Sequence, residues 1–303
     1  MSNERMSLVQ LFEMFPNDAT AEEWFVKVRW PDGVCCAYCN GTNIQDGTKH
    51  KTMPYWCNDC KKWFSPKTNS VMHSSRMGYQ KWAIAIYMMM SHPKGISSIQ
   101  LHKAIGVTQK TAWYMMHRIR KAYNKASEPF SGEVEVDETY VGGLEKNKHS
   151  KNRKRQGRGV AGKLIVIGMK ERSSKKVKAA VIPETKSPVV HKFVVDNTTP
   201  GALVYTDEHK AYNNLPRKRQ FVKHGEKQYA DGDNHIQGIE SFWQFIKRGH
   251  KGIYHSFSEK HLHRYVDEYT GRFNAREMAH EEHMAEIVRG GSGKRLSYKD
   301  LIS

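Results

Sequence analysis

Two Cys-x-x-Cys pairs, Cys36-Ala-Tyr-Cys39 and Cys57-Asn-Asp-Cys60, stand 17 residues apart in a chain with five cysteines in all. No other feature limits the local fold so narrowly. Each pair turns tightly enough to aim two thiolates at one point, and the spacing between the pairs is that of a four-thiolate zinc site. The residues between them end in Tyr55-Trp56 and suit a short hairpin that brings the pairs together. Four thiolates close the coordination sphere, so the expected Zn2+ is structural and leaves no position for a substrate. Cys35 is left over as a partly buried thiol, with a register shift to Cys35 as the ligand kept open, and His50 and His73 read as surface histidines. Disulfides are not expected. Met1 to Met14 carries charge and lacks an apolar stretch ahead of a small-residue cleavage site, which points to a reducing cytoplasm.

Charge narrows the partners. The chain carries 49 Lys plus Arg against 31 Asp plus Glu, a formal charge of +18. That exceeds what solubility requires and sets up a field that attracts polyanions. Basic residues that displace counterions from phosphates supply most non-specific nucleic-acid affinity, so nucleic acid is the expected partner. An acidic membrane surface is the competing reading. It fails because no run of about 18 apolar residues exists and the basic residues are not laid along one amphipathic helix.

With 303 residues the chain has room for two or three modest domains. Thr20-Ala-Glu-Glu23 is a capping-box pattern that opens a short helix ahead of the ribbon, and Trp63-Phe64-Ser65-Pro66 reads as the ribbon's last strand. Gln80 to Met90 reads as an apolar helix whose methionines are core. From Ser97 to Lys125 the pattern is helix, turn, helix, with Gly106 in the turn and Thr108 capping a second helix of outward polar and basic residues. Gln109, Lys110 and Arg118 are its candidate DNA contacts. Ser127 to Gly132 is a linker by composition, and strands follow at Glu133 to Tyr140, Lys163 to Met169, Lys176 to Ile182 and Ala202 to Asp207. Helices return at Ile236 to Lys247 and Ser258 to Phe273. The expected divisions are 1–75, 76–128, 129–280 and a flexible tail, 281–303. A basic loop, Lys146 to Arg158, holds Lys151, Arg153, Lys154 and Arg155. It reads as a solvated insertion in the free protein that closes over bound DNA.

Three acids sit where this order of elements makes them notable. Asp137 lies in Val134-Glu135-Val136-Asp137, Asp207 ends Val204-Tyr205-Thr206-Asp207, and Glu240 lies in the helical run from Gly238. An acid-bearing strand, two more strands, a helix, a strand ending in an acid and a helix carrying a third is the order of an RNase H-like core. The fold class expected is therefore α/β, an RNase H-like mixed sheet flanked by helices, preceded by a zinc ribbon and a helix-turn-helix. Hard cations such as Mg2+ or Mn2+ take carboxylate oxygens, and two of them about 3.5–4 Å apart serve an in-line phosphoryl displacement. At about 100° per residue, Ile239, Phe242 and Ile246 share one stripe of the last helix. Glu240, Gln244 and Lys247 share the other, with Arg248 beside them. Taken singly, Asp137 also suits a strand-end turn, Asp207 a cap, and Glu240 an ordinary solvated face. Glu135, Glu138, Glu208, Asp231 and Asp233 are rival carboxylates. Strand alternation puts Glu138 and Asp137 on opposite faces, so one of them is expected at the metals. His209 and His235 lack a serine or cysteine partner at a convincing spacing, so no covalent nucleophile is indicated.

Glu135-Val-Asp137-Glu-Thr-Tyr-Val-Gly-Gly143, Val204-Tyr-Thr-Asp207-Glu-His-Lys-Ala-Tyr212 and Gly238-Ile-Glu240-Ser-Phe-Trp243 through Lys247-Arg-Gly249 together resemble the bacterial insertion-sequence DDE transposases. The subgroup resembled carries an N-terminal zinc ribbon and is related to Merlin elements. The resemblance runs from the ribbon to about Ala275. It implies Asp137, Asp207 and Glu240 as a triad binding Mg2+ or Mn2+, with Lys247 as the basic residue after the final acid. It further implies binding of terminal inverted repeats, cleavage at element ends and joining of the 3′-OH to target DNA, by a homodimer or larger assembly in the bacterial nucleoid. A domesticated or inactive DNA-binding protein and a metal-dependent nuclease are the alternatives. One departure is Gln237, where many relatives have Asn three residues before the glutamate.

Overall fold

Glu133–Val141 buries Val134, Glu135 and Val136 in succession, as a central strand covered on both faces does, and the second half of the chain is built on the sheet around it. In the computed structural model, residues 5–47, 49–50, 52–142, 163–221 and 236–303 are described. The basic loop at 146–158, with Lys151, Arg153, Lys154 and Arg155, lies outside them, as do Asp231, Asp233 and His235. The chain forms two compact units, Ala126–Arg276 being one and Met1–Lys125 with Glu277–Ser303 the other.

In the first unit, α1 (Leu8–Met14) and α2 (Asp18–Arg29) precede the ribbon. The cap of α2 is Asn17, whose side chain accepts from the Thr20 N–H, so the helix starts ahead of the expected capping box. The ribbon is three antiparallel strands, β1 (Ile44–Gln45), β2 (Tyr55–Cys57) and β3 (Lys62–Phe64). One face of it packs Tyr55, Cys57 and Phe64 against Trp30. Helix α3 (Tyr79–Ser91) is apolar as expected, with Met89 and Met90 buried. α4 (Ser98–Ile105) ends on Gly106 at φ 60°, a conformation that costs glycine nothing. Thr108 caps α5 (Gln109–Tyr123) by accepting from the Thr111 N–H at 3.2 Å.

The second unit is a five-stranded mixed sheet flanked by helices. Its strands are β4 (Glu133–Val141), β5 (Leu164–Glu171), β6 (Val177–Ile182), β7 (Leu203–Thr206) and β8 (Lys218–Phe221), in the order β6-β5-β4-β7-β8. β5 runs antiparallel to both neighbours, whereas β4, β7 and β8 are parallel. Val134, Val136, Ile167 and Met169 face one core with α6 (Ser187–Asn197), which contributes Val190 and Val194. Val166, Val177 and Tyr205 face the other, filled by Ile239, Phe242, Trp243 and Ile246 of α7 (Gln237–Gly249) and Val266 and Tyr269 of α8 (Leu262–Asn274).

Two expectations are corrected in the first unit. Residues 281–303 are not a tail: α9 (His280–Gly290) and α10 (Tyr298–Ile302) bury Met284, Ile287 and Leu301. This segment covers α5, where Tyr114 Oη donates to the Leu296 carbonyl at 2.7 Å and Lys121 Nζ to that of Arg295 at 2.6 Å. Arg118 is not placed as a DNA contact, because α5 is buried without interruption from Met115 to Arg120. Arg118 is 3% exposed, and its guanidinium donates to the His73 carbonyl and lies over the Trp82 and Tyr114 rings. No described helix is long and apolar enough to cross a membrane.

Candidate active site

The four thiols converge as their spacing predicts. Cys36, Cys39, Cys57 and Cys60 place their Sγ atoms within 4.8 Å of one another, with Cys36 to Cys60 at 3.5 Å and Cys39 to Cys57 at 3.7 Å. Tetrahedral zinc with bonds of about 2.3 Å requires sulfur pairs about 3.8 Å apart, so the cluster fits that ion. The backbone N–H of Cys60 pulls the Cys57 thiol down, whereas burial and the neighbouring thiols push the Cys60 thiol up, as expected of four sulfurs crowded around one point. Cys35 is outside the group.

The carboxylates of the second unit are arranged by the sheet. β4 and β7 pair in parallel with Glu135 opposite Tyr205, and Asp137 and Asp207, each two residues further on, lie within electrostatic reach of one another. β7 ends at Thr206, so Asp207 lies where the chain leaves the sheet and Asp137 where β4 outruns its neighbour. Asp207 Oδ1 accepts from the His209 N–H at 3.0 Å, and its carbonyl accepts from Arg219 Nη2 at 2.9 Å. Arg219 also reaches Thr206 Oγ1 at 2.8 Å and thereby holds the strand end.

Asp137 faces α7. Its Oδ2 accepts a 2.9 Å hydrogen bond from Trp243 Nε1. Burial pushes its carboxyl up to about 7, with the Glu138 and Asp207 charges adding to the rise and the Trp243 bond opposing it. Glu138 faces the opposite side, where it accepts from Tyr212 Oη at 2.5 Å and lies 3.7 Å from His209 Nδ1. Burial also raises the Glu138 carboxyl, and Asp207 raises it further. Strand alternation thus separates the partners of Asp137 and Glu138 but leaves both within electrostatic reach of Asp207. Crowded carboxylates with raised affinity for protons are a donor set suited to a hard cation.

Glu240 is exposed on α7, one turn before Trp243, with Gln244, Lys247 and Arg248 also exposed. Ile239, Phe242 and Ile246 are buried, as the helical angles require. Among the described residues the four cysteines alone bring three or more acid, histidine or cysteine ligand atoms within one ion's reach. Asp137, Asp207 and Glu240 do not. Glu135 is 2% exposed and is engaged elsewhere, its carboxylate accepting from the Ile239 N–H at 2.9 Å and from Arg172 Nε at 3.2 Å. Lys170 Nζ donates to the Gly238 carbonyl at 3.3 Å. The N-terminus of α7 is therefore pinned to β4 and β5, and helix polarity favours the Glu135 carboxylate of that link.

Sequence reasoning missed Trp243, Arg219 and Tyr212, because their relevance comes from donors reaching across the sheet. Of the expected DNA contacts, Gln109 and Lys110 are exposed at the start of α5. Gln109 Nε2 donates to Ser98 Oγ at 2.7 Å, and the Lys110 amine lies 4.6 Å from the Tyr298 ring centre.

Residues 129–274 match the model of the ISXO2-like transposase domain. A protein of transposable element ISH50 from Halobacterium salinarum, itself uncharacterized, is 28% identical over 255 residues, 79% of this chain and 86% of its own length. An uncharacterized transposase-like protein from Haemophilus influenzae is 27% identical over 118 residues, 38% of this chain and 95% of its own.

Proposed function

We propose that this chain, whose residues 129–274 match the model of the ISXO2-like transposase domain, is an insertion-sequence transposase that cuts DNA at element ends and joins the freed 3′-OH to target DNA. The observation that supports this reading is that Asp137 and Asp207 lie within electrostatic reach of each other where β7 stops short of β4. An RNase H-like core is supported by the strand order β6-β5-β4-β7-β8, in which β5 is antiparallel to β6 and β4 while β4, β7 and β8 run parallel.

Asp137, Asp207 and Glu240 would hold Mg2+ or Mn2+, which when bound activates the attacking oxygen and stabilises the leaving one. Asp137 offers Oδ1 while Trp243 keeps Oδ2. Asp207 is fixed at the strand end by the His209 amide and Arg219. Glu240 stands on a helix anchored by Glu135, and Lys247 and Arg248 follow two turns on, where exposed cations suit a phosphate backbone. Burial first and neighbouring carboxylates second raise the Asp137 and Glu138 carboxyls, and a bound cation would offset that cost. Gln109 and Lys110 open α5, the position from which a recognition helix reads base edges, and they support a helix-turn-helix role for α4 and α5. Structural Zn2+ on Cys36, Cys39, Cys57 and Cys60 would hold the ribbon, and a homodimer or larger assembly would pair two element ends.

Strand transfer tests the proposal. Labelled duplexes carrying the element's own ends are incubated with Mg2+, with Asp137→Asn and EDTA as controls. Joined products that disappear in both controls are the expected result. Cut ends without joining would indicate a nuclease, and tight end binding with neither reaction a DNA-binding protein.

A further inference from the structure

The ribbon sheet has two unlike faces. Tyr55, Cys57 and Phe64 close the buried one with Trp30, so the ribbon's apolar core is complete there. The other face carries Trp56 and Trp63, paired across β2 and β3 with ring centres 4.7 Å apart, and His50 lies on Trp63 at 5.4 Å and 35°. A cross-strand tryptophan pair stabilises a hairpin by itself. It does not require Trp63 to stay 38% exposed or a third ring to extend the row. Exposed Lys61 and Lys62 precede Trp63 directly.

His50 belongs to a second feature as well. It lines a cavity of about 500 Å³, open to solvent, together with Tyr38, Lys67, His73, Arg76 and Tyr79. Lys67 and Arg76 are cations on its wall, and Glu22 is the acid among its described lining residues. Aromatic rings in a row, bordered by cations and continued by a cavity of nucleotide size, form the pattern that holds unpaired bases. Stacking uses the π-face that every base presents, and cations follow the backbone. Duplex DNA keeps those faces occupied by its own neighbours and presents only edges and phosphates.

We propose that the His50, Trp63 and Trp56 face of the ribbon, with the adjoining cavity, binds single-stranded DNA by base stacking. The proposal rests on the reading of the chain as a DNA transposase and adds to it a site for the unpaired bases that end processing exposes.

Fluorescence anisotropy of the full chain with a labelled oligothymidine and with an end duplex, at one fixed salt concentration, tests it. Trp63→Ala should weaken oligothymidine binding about 5- to 100-fold and leave duplex binding within about two-fold, while Trp63→Phe keeps most single-strand affinity. In a second titration series at varied salt, Arg76→Gln should make single-strand binding less salt-dependent. Zinc content is measured for each variant. If Trp63→Ala loses zinc, the exposed His50→Ala carries the test in its place. Unchanged single-strand binding, or equal losses on both DNAs, overturns the proposal. A wild-type protein that joins strands but does not bind oligothymidine refutes this site and leaves the transposase reading standing. Trp63-dependent oligothymidine binding without strand joining does the reverse.

Discussion

Trp243 Nε1 of α7 and Asp137 Oδ2 of β4 are joined by a 2.9 Å hydrogen bond, and the glycine facing Asp137 on β5 makes room for it. A Cβ on Gly168 would lie 2.5 Å from the Trp243 ring. The indole thus occupies the space above Gly168 and fixes which Asp137 oxygen is free. Trp243→Phe keeps an aromatic ring but removes the donor to a buried carboxylate, a bond whose loss costs about 1.5–3 kcal/mol. Cleavage should fall at least about 10-fold with end binding unchanged. Gly168→Ala should give a similar loss alone and little further loss in the Trp243→Phe background. Additive losses would show that the glycine acts by another route.

Asp137→Asn is expected to stabilise the protein while abolishing strand transfer. The Asp137 carboxyl is pushed from 3.8 to about 7, chiefly by burial. Between those values the native state holds a proton that the unfolded chain has released, so stability falls as pH rises from about 4 through 7. Asparagine removes the charge and keeps an oxygen for Trp243. Thermal melts in EDTA should therefore favour the variant at pH 8, with the advantage shrinking toward pH 4. A variant less stable than wild type at pH 8 would mean that the ionised carboxylate is structurally useful.

Much of the second unit was legible because its elements are local. The strands expected at Lys176 to Ile182 and Ala202 to Asp207 appear as Val177–Ile182 and Leu203–Thr206, and the Ile239, Phe242 and Ile246 stripe is buried. Gly106 and Thr108 form the turn and cap that their residue types favour. What stayed hidden depends on contacts between distant residues. Glu135 reads as a spare carboxylate until the Ile239 amide is seen above it, 104 positions on. Arg118 reads as a surface cation until two aromatic rings and a carbonyl enclose it. Tyr114 and Leu296 are separated by 182 residues, and no periodicity in either segment announces their bond.

One zinc per chain is expected by elemental analysis. Cys57→Ser should lower that content and loosen the core of Trp30, Tyr55 and Phe64, because thiolate and side chain share one cluster. Cys35→Ser should leave zinc content unchanged, since Cys35 stands outside the four. The opposite ranking of the two variants would assign the ligand to Cys35.

The C-terminal segment gives the sharpest contrast between a tail and a packed element. Leu301 and Met284 are both 0% exposed, and their segment lies on α5, whose Met115, Met116 and Ile119 are buried in turn. A flexible tail would tolerate change at either position. Truncation of a fully buried Leu or Met to Ala removes packing that the surroundings refill only in part, at about 2–5 kcal/mol. Leu301→Ala and Met284→Ala should each destabilise the first unit by an amount in that range. Denaturant unfolding followed by the fluorescence of its tryptophans measures the loss. Hydrogen exchange should meanwhile show α5 losing protection and β4 to β8 keeping theirs, because the two units unfold from separate cores. Unaltered unfolding midpoints for both variants would return residues 281–303 to the status of a tail and leave the burial of α5 without its cause.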